Sequence, residues 1–141
     1  MWSLGCIIGE MYCGHPIFPG VDENELLEFH THICGPPPEF MYEESSKFKK
    51  LFEMDEEGRF QVIKSRHSRL QEIEELTTLT VDRVILKEKY DSPQKVSRDE
   101  REMIDFIKRC LVVDFTSRMT CEEASNHPWL RGVSFENYHP H

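Results

Sequence analysis

A chain of 141 residues is long enough for one domain with a core of its own, because a chain of that size buries about two thirds of the surface it exposes when unfolded. Its formal net charge of -9, with 26 acidic against 17 basic residues, excludes a dedicated nucleic-acid surface, whose affinity rests on Lys and Arg neutralising phosphates. The five cysteines, Cys6, Cys13, Cys34, Cys110 and Cys121, are odd in number and form no CxxC pair, which points to reduced thiols in an intracellular protein and away from disulfides or a zinc site.

The opening MWSLGCIIGEMYC has only Ser3 and Glu10 as strongly polar residues between Trp2 and Cys13. It is too short for a membrane span of about 20 apolar residues, it carries Glu10, and it lacks the basic start of a secretory signal. We therefore expect no membrane association, and a helix buried on nearly all sides. GHPIFPG reads as a turn pinned to the core by Ile17 and Phe18. VDENELLEFHTHIC reads as a second helix, with Asp22 as its cap, Glu25 at capping-box spacing, and Leu26, Leu27, Phe29, His30 and Ile33 on the inner face. The prolines of GPPPEF end it.

A charged helix is expected from Glu39 to Glu57, bearing Phe40, Phe48, Leu51 and Phe52, followed by one short strand in GRFQVIKS. From Arg66 to Tyr90 the charges and Thr77, Thr78 and Thr80 alternate with Leu70, Ile73, Leu76, Leu79, Val81, Val84, Ile85 and Leu86, which suggests a partly ordered insertion and then a looser YDSPQKVS connection. Ser97 and Glu100 form a capping box for a helix whose apolar side is Met103, Ile104, Phe106, Ile107, Cys110 and Leu111. Thr120 and Glu123 repeat the capping spacing for a last helix, which breaks at HPW before Trp129 and Leu130 close the edge. No fixed-period repeat suggests a solenoid.

In this order WSLGCIIGEMYCGHPIFPG, ENELLEFHTHICGPPPEF and CLVVDFTSRMTCEEASNHPWL closely resemble the carboxy-terminal half of the large lobe of a eukaryotic protein kinase. The shared motifs are the WSxG helix start at Trp2 and Gly5, the FPG turn, the Gly-x-Pro-Pro turn, then Arg118, Met119, Thr120, Ala124 and His127-Pro128-Trp129-Leu130. The FPG turn, GPPPEF and the long segment before the penultimate helix resemble the group of cyclin-dependent, mitogen-activated and dual-specificity tyrosine-regulated kinases (CMGC), and RMTCEEASNHPWLR tilts toward the last branch. The resemblance covers residues 1–36 and 98–131, with residues 36–97 standing where that group carries its insertion. The fold it implies is mainly α: a partial kinase-like large lobe with an inserted segment and a short β element.

The same resemblance implies that the helix from Trp2 supports the interior of the lobe, with Met1 directly after an Asp that in the family holds the catalytic loop. Phosphoryl transfer depends on a Gly-rich loop, an ATP-contacting Lys, the H-R-D-x-x-x-x-N loop, the D-F-G metal site and the A-P-E segment, and none of these is in this sequence. No catalytic, cofactor-binding or metal residue is therefore assigned. ATP and Mg²⁺ belong to a complete parent kinase, whose partners would be the missing upstream part of the domain and protein substrates, in the cytoplasm, the nucleus or both. Two readings stand: a piece of a serine/threonine or dual-specificity kinase, and a kinase-derived interaction module or remnant without catalysis.

Individual residues sharpen this. Glu10 is costly to bury alone; the resemblance puts it where family members contact a basic substrate side chain, and a capping or packing carboxylate is the favoured alternative. Arg118 matches the arginine that pairs with the Glu of A-P-E and fastens the activation segment; without that Glu it is unpaired unless another carboxylate substitutes, and its role is structural. Phe115 stands where the family most often has Pro after Asp114, which would alter a turn. His30 and His32, two apart, face different sides of a helix and make no metal clamp. His127 at a helix end needs only a capping or packing contact. Asp55, Glu56 and Glu57 read as a solvated acidic run. Arg59, Lys64, Arg66, His67 and Arg69 form a basic stretch offset by nearby glutamates.

Overall fold

The structure, a computed structural model, describes residues 1–68 and 79–131. Helix α1 (Trp2–Cys13) ends at Gly14, whose left-handed φ of 77° lets its N–H close on the Glu10 carbonyl. Its inward edge is made of glycines. A Cβ on Gly5 would stand 2.6 Å from Cys110 Cβ, and one on Gly9 would collide with Ile17 Cδ1, so their absence lets the helix backbone approach its neighbours.

The expectation that α1 is buried on nearly all sides fails. Leu4, Ile7 and Met11 are 40%, 54% and 81% exposed. They are spaced three and four apart and so share one face, opposite the glycine edge that packs. No other described element covers that face.

Helix α2 (Glu23–Cys34) starts at Asp22, whose side chain accepts from Glu25 N at 2.8 Å. The fully buried Glu25 accepts from Val21 N at 2.7 Å, one residue before the cap. Gly35, with φ of 91°, ends the helix and the prolines follow. Phe29 and Ile33 are buried as expected.

The single helix expected over Glu39 to Glu57 is instead three elements: α3 (Glu39–Glu44), α4 (Phe48–Leu51) and strand β1 (Phe52–Met54). Ser45 is extended and its hydroxyl accepts from Phe48 N at 3.3 Å, which divides the two helices. The expected strand is present as β2 (Phe60–Val62), paired antiparallel with β1 in the register Phe52 to Val62 and Met54 to Phe60. Asp55 is no idle part of an acidic run: its carboxylate accepts from the N–H groups of Glu57 and Arg59, at 2.9 and 2.8 Å, while Gly58 takes φ of 79° to close the turn. Tyr42, Phe48, Phe52 and Phe60 pack ring against ring beneath the hairpin, Tyr42 and Phe60 stacked at 4.0 Å.

Leu70, Ile73, Leu76, Thr77 and Thr78 lie outside the described residues. Helix α5 (Val81–Leu86) is capped by Thr80 and sends Val81 and Ile85 into the core. After a 3₁₀ turn at Lys87–Lys89, the connection expected to be loose (residues 90–97) contains a 3₁₀ turn at Pro93–Lys95 and buries Val96. Helix α6 (Arg98–Cys110) has the expected Ser97 and Glu100 capping box, and α7 (Cys121–Ser125) that of Thr120 and Glu123. A 3₁₀ turn at Pro128–Leu130 follows.

All six apolar residues expected on the inner side of α6 are buried. Met103, Ile104, Ile107 and Leu111 join Ile17, Phe29, Ile33, Val81 and Ile85 in the main core, while Phe106 and Cys110 join Met119 and Ala124 in a second cluster. Burial of such side chains stabilises by roughly 1.5–3 kcal/mol each, so α6 is the axis of the fold. The chain is mainly α, with one two-stranded hairpin.

Candidate functional site

Arg118 follows the turn after α6, where Asp114 accepts from Thr116 N at 2.8 Å and from the Thr116 and Ser117 hydroxyls. Phe115 therefore leaves the turn intact without proline, and its exposed ring rests edge-on against Phe40. Arg118 Nε donates to the Val112 carbonyl at 2.8 Å and Nη2 to the Val113 carbonyl at 3.2 Å. Its guanidinium lies over the Trp2 ring. Trp2 in turn stacks on Phe18, and His30 stands edge-on to both rings. Burial pushes His30 down to about 4, so it is neutral at physiological pH. These groups border a cavity of about 170 Å³ lined by Trp2, Leu27, His30, Thr31, Val113 and Arg118.

Arg118 has five donors, of which two are engaged by these carbonyls. Among the described residues no carboxylate lies within ion-pair distance of it. The substitute carboxylate considered from the sequence is not among them; backbone carbonyls and an aromatic face hold the side chain instead.

His127 is 4% exposed. Its Nδ1 accepts from Trp129 N at 3.2 Å, which puts the ring proton on Nε2, where it donates to Asp105 Oδ2 at 3.0 Å. Arg109 Nε donates to the same oxygen at 2.9 Å. Partial burial of Asp105 would raise its carboxyl, but the hydrogen bonds from His127 and Arg109 hold it below its ordinary value. Pro128 opens the final 3₁₀ turn, Trp129 tilts onto Phe106, and the His127 ring meets Phe106 edge-on. The three residues fasten the end of the described chain to α6.

Glu10 is half-buried, and its Oε1 accepts from Ile17 N at 3.2 Å, holding the GHPIFPG turn against the end of α1. His30 is enclosed by aromatic rings while His32 is exposed, and among the described residues no group of three His, Cys, Asp or Glu is placed to hold a metal ion. Gly5 and Gly9 are filled against Cys110 and Ile17 and offer no cradle to a phosphate. Among the described residues, none of these groups is arranged to hold ATP or Mg²⁺.

Three groups escaped the sequence reading. Glu28, 8% exposed, accepts from Ser65 N at 2.5 Å and from the Ser68 hydroxyl. Its position three after the buried Glu25 was the available sign, since that spacing shares a helix face. Asp105, beside His127, gave none. Glu100 does more than cap α6: it accepts from the Tyr12 hydroxyl and the Lys89 ammonium, tying the end of α1 to α6.

The protein kinase domain family matches residues 1–130, and the chain belongs to that family. Within it, the chain is 33% identical over 132 residues to human dual specificity tyrosine-phosphorylation-regulated kinase 4, covering 92% of this chain and 22% of that protein. It is 31% identical over 144 residues to the rat dual specificity tyrosine-phosphorylation-regulated kinase 3, covering 92% of this chain and 22% of the relative. Serine/threonine-protein kinase ppk5 of Schizosaccharomyces pombe is 30% identical over 132 residues, covering 94% of this chain and 14% of the relative. The human and rat relatives agree with the branch to which the motifs point. The chain spans between 14% and 29% of the length of the first curated relatives it matches. Among the described residues no helix is long and apolar enough to cross a membrane.

Proposed function

We propose that the chain is the carboxy-terminal portion of the large lobe of a serine/threonine or dual-specificity protein kinase, and that alone it transfers no phosphate. It forms the helical floor on which the nucleotide-binding and catalytic segments of a complete domain rest. The observation that carries this reading is the bare stripe of Leu4, Ile7 and Met11 on a helix whose other edge is packed so closely that it needs glycine. A contiguous apolar face of that kind calls for a covering partner. The missing Gly-rich loop, H-R-D loop, D-F-G and A-P-E motifs supply the chemistry such a partner would bring, with ATP and Mg²⁺ and with protein substrates.

In this reading Arg118, with unused donors at the Trp2 and His30 cavity, takes a carboxylate from the activation segment. Residues 36–97 include the insertion of this kinase group. Glu10 holds the turn at Ile17 through one carboxylate oxygen, which supports the packing role favoured from the sequence. The complete kinase works inside the cell, in the cytoplasm or nucleus.

The test is phosphate transfer from the ATP γ-position to a general protein substrate. The purified 141-residue chain should show none. Joined in frame to the nucleotide-binding lobe and catalytic segments of one of its relatives, it should gain activity. Transfer by the chain alone, abolished by a substitution within it, overturns the proposal; a joined chain that folds and remains inactive favours a non-catalytic interaction module.

A further inference from the structure

The hairpin segment is fastened to α2 by serine hydroxyls bonded to carboxylates. Ser65 Oγ donates to Asp22 Oδ2 at 2.6 Å, Ser65 N donates to Glu28 Oε1 at 2.5 Å, and Ser68 Oγ donates to Glu28 Oε2. Asn24 Nδ2 adds a bond to the Ile63 carbonyl at 2.7 Å. Both serines are half-buried, and Arg66 and His67 between them are exposed. Charge-assisted hydrogen bonds of this type are stronger than neutral ones, but the two made by the serine hydroxyls require each serine to keep its proton. The local sequence, Lys64-Ser65-Arg66-His67-Ser68, is basic, while the surface receiving it is acidic.

We propose that Ser65 and Ser68 form a phosphorylation-sensitive latch: a phosphate on either one releases the 60–68 segment from α2. The reaction is carried out by a separate serine kinase that selects basic sequences. The serine Oγ attacks the γ-phosphorus of a nucleoside triphosphate, the Oγ–P bond forms, the bond to the diphosphate breaks, and the hydroxyl proton passes to that kinase's base. The phosphoserine then has no proton to donate and places nearly two negative charges against Asp22 or Glu28, where like charges repel. Glu28 is too buried to turn to water, so the segment must leave. The inference is independent of any catalytic role for the chain.

The test uses the full chain, ATP and a basic-directed serine kinase, with phosphosites mapped by mass spectrometry and hydrogen exchange followed before and after. Phosphate is expected on Ser65 or Ser68, entering faster in Glu28→Gln, which holds the Ser68 hydroxyl less firmly. In the phosphorylated chain the amide of Ser65, which donates to Glu28, should exchange about tenfold faster or more, the loss that a hydrogen bond to a charged group implies. The amides of α6 should be unchanged. The double variant S65A/S68A should take no phosphate in this segment and open less than the phosphorylated chain. Three results overturn the proposal: neither serine accepting phosphate in either chain, phosphate without faster exchange at Ser65, or equal acceleration throughout α6.

Discussion

The guanidinium carbon of Arg118 lies 5.2 Å from the centre of the Trp2 ring, so the start of α1 is joined to the turn that follows α6 by a cation resting on an aromatic face. Both ends of that contact were singled out in the sequence as structural, and they meet although 116 positions apart. Replacing Arg118 by alanine removes the ring contact and the bonds to the Val112 and Val113 carbonyls. The expected loss is about 2 kcal/mol in the isolated chain, measured by denaturant titration. Within a complete kinase domain the loss should reach about 3–5 kcal/mol, because a buried carboxylate would also be left unpaired. Equal losses in the two settings would remove the case for an added carboxylate. Lysine should restore only part of the stability, since it lacks the planar fork.

Gly5 and Gly9 face different obstacles, and alanine should separate them. At Gly5 the new methyl group meets Cys110 Cβ, which no rotamer change can move; at Gly9 it meets the far end of the Ile17 side chain. Alanine gains about 1 kcal/mol of helix propensity at either site. We expect Gly5→Ala to lower stability by about 1–3 kcal/mol net, and Gly9→Ala to cost distinctly less because Ile17 can turn aside. Thermal unfolding of the two variants gives the comparison.

His30 predicts a pH dependence. Its folded value, pushed down to about 4 by burial, lies below the ordinary 6.5, so between these values the unfolded chain binds the extra proton. Stability should therefore be at its plateau above about pH 6.5 and decline as the pH falls toward 4. The depressed carboxylates Asp22, Asp105 and Glu123 act at lower pH, where protonation removes the bonds that hold them. Replacing His30 by phenylalanine should flatten the curve between pH 6.5 and 5 and leave the more acidic limb in place. A decline in that interval as steep as that of the parent chain would assign it to another group.

The bare face of α1 predicts self-association. The chain should bind an apolar dye and form oligomers as its concentration rises. Changing Ile7 and Met11 to glutamine should suppress both, with little loss of thermal stability because neither side chain is buried. In a joined active kinase the same double change should lower stability or activity by exposing polar groups to the covering segment. Light scattering and dye fluorescence distinguish the cases, and an unchanged joined kinase would show that the face is not covered there.

Periodicity and capping chemistry made the helices legible. Asp22, Ser97 and Thr120 each stand where the sequence puts a cap, and the Phe106 and Ile107 side of α6 turns inward as its spacing requires. The segment after the prolines was not legible in the same way. Its aromatic residues satisfy a helical spacing as well as a packed cluster, and only the Ser45 break and the Gly58 turn decide between them. The exposure of α1 was misread because an apolar residue does not state which partner buries it. At the candidate site, Arg118 and His127 were found from their motifs, but their contacts were not. Asp105 and the Val112 and Val113 carbonyls reach those two side chains through the turns of the chain, which local spacing does not encode.

The rings of Tyr42, Phe48, Phe52 and Phe60 belong to neither buried cluster around α6. The hairpin thus has its own cohesion, tethered to the helical floor through a few polar bonds. Energetically the two parts approach independence: the cost of shortening Phe60 and the cost of shortening Ile107 should add, since the two side chains belong to different clusters. A protein built this way can revise the hairpin, its turn and the character of its outer surface while the lobe beneath keeps its stability.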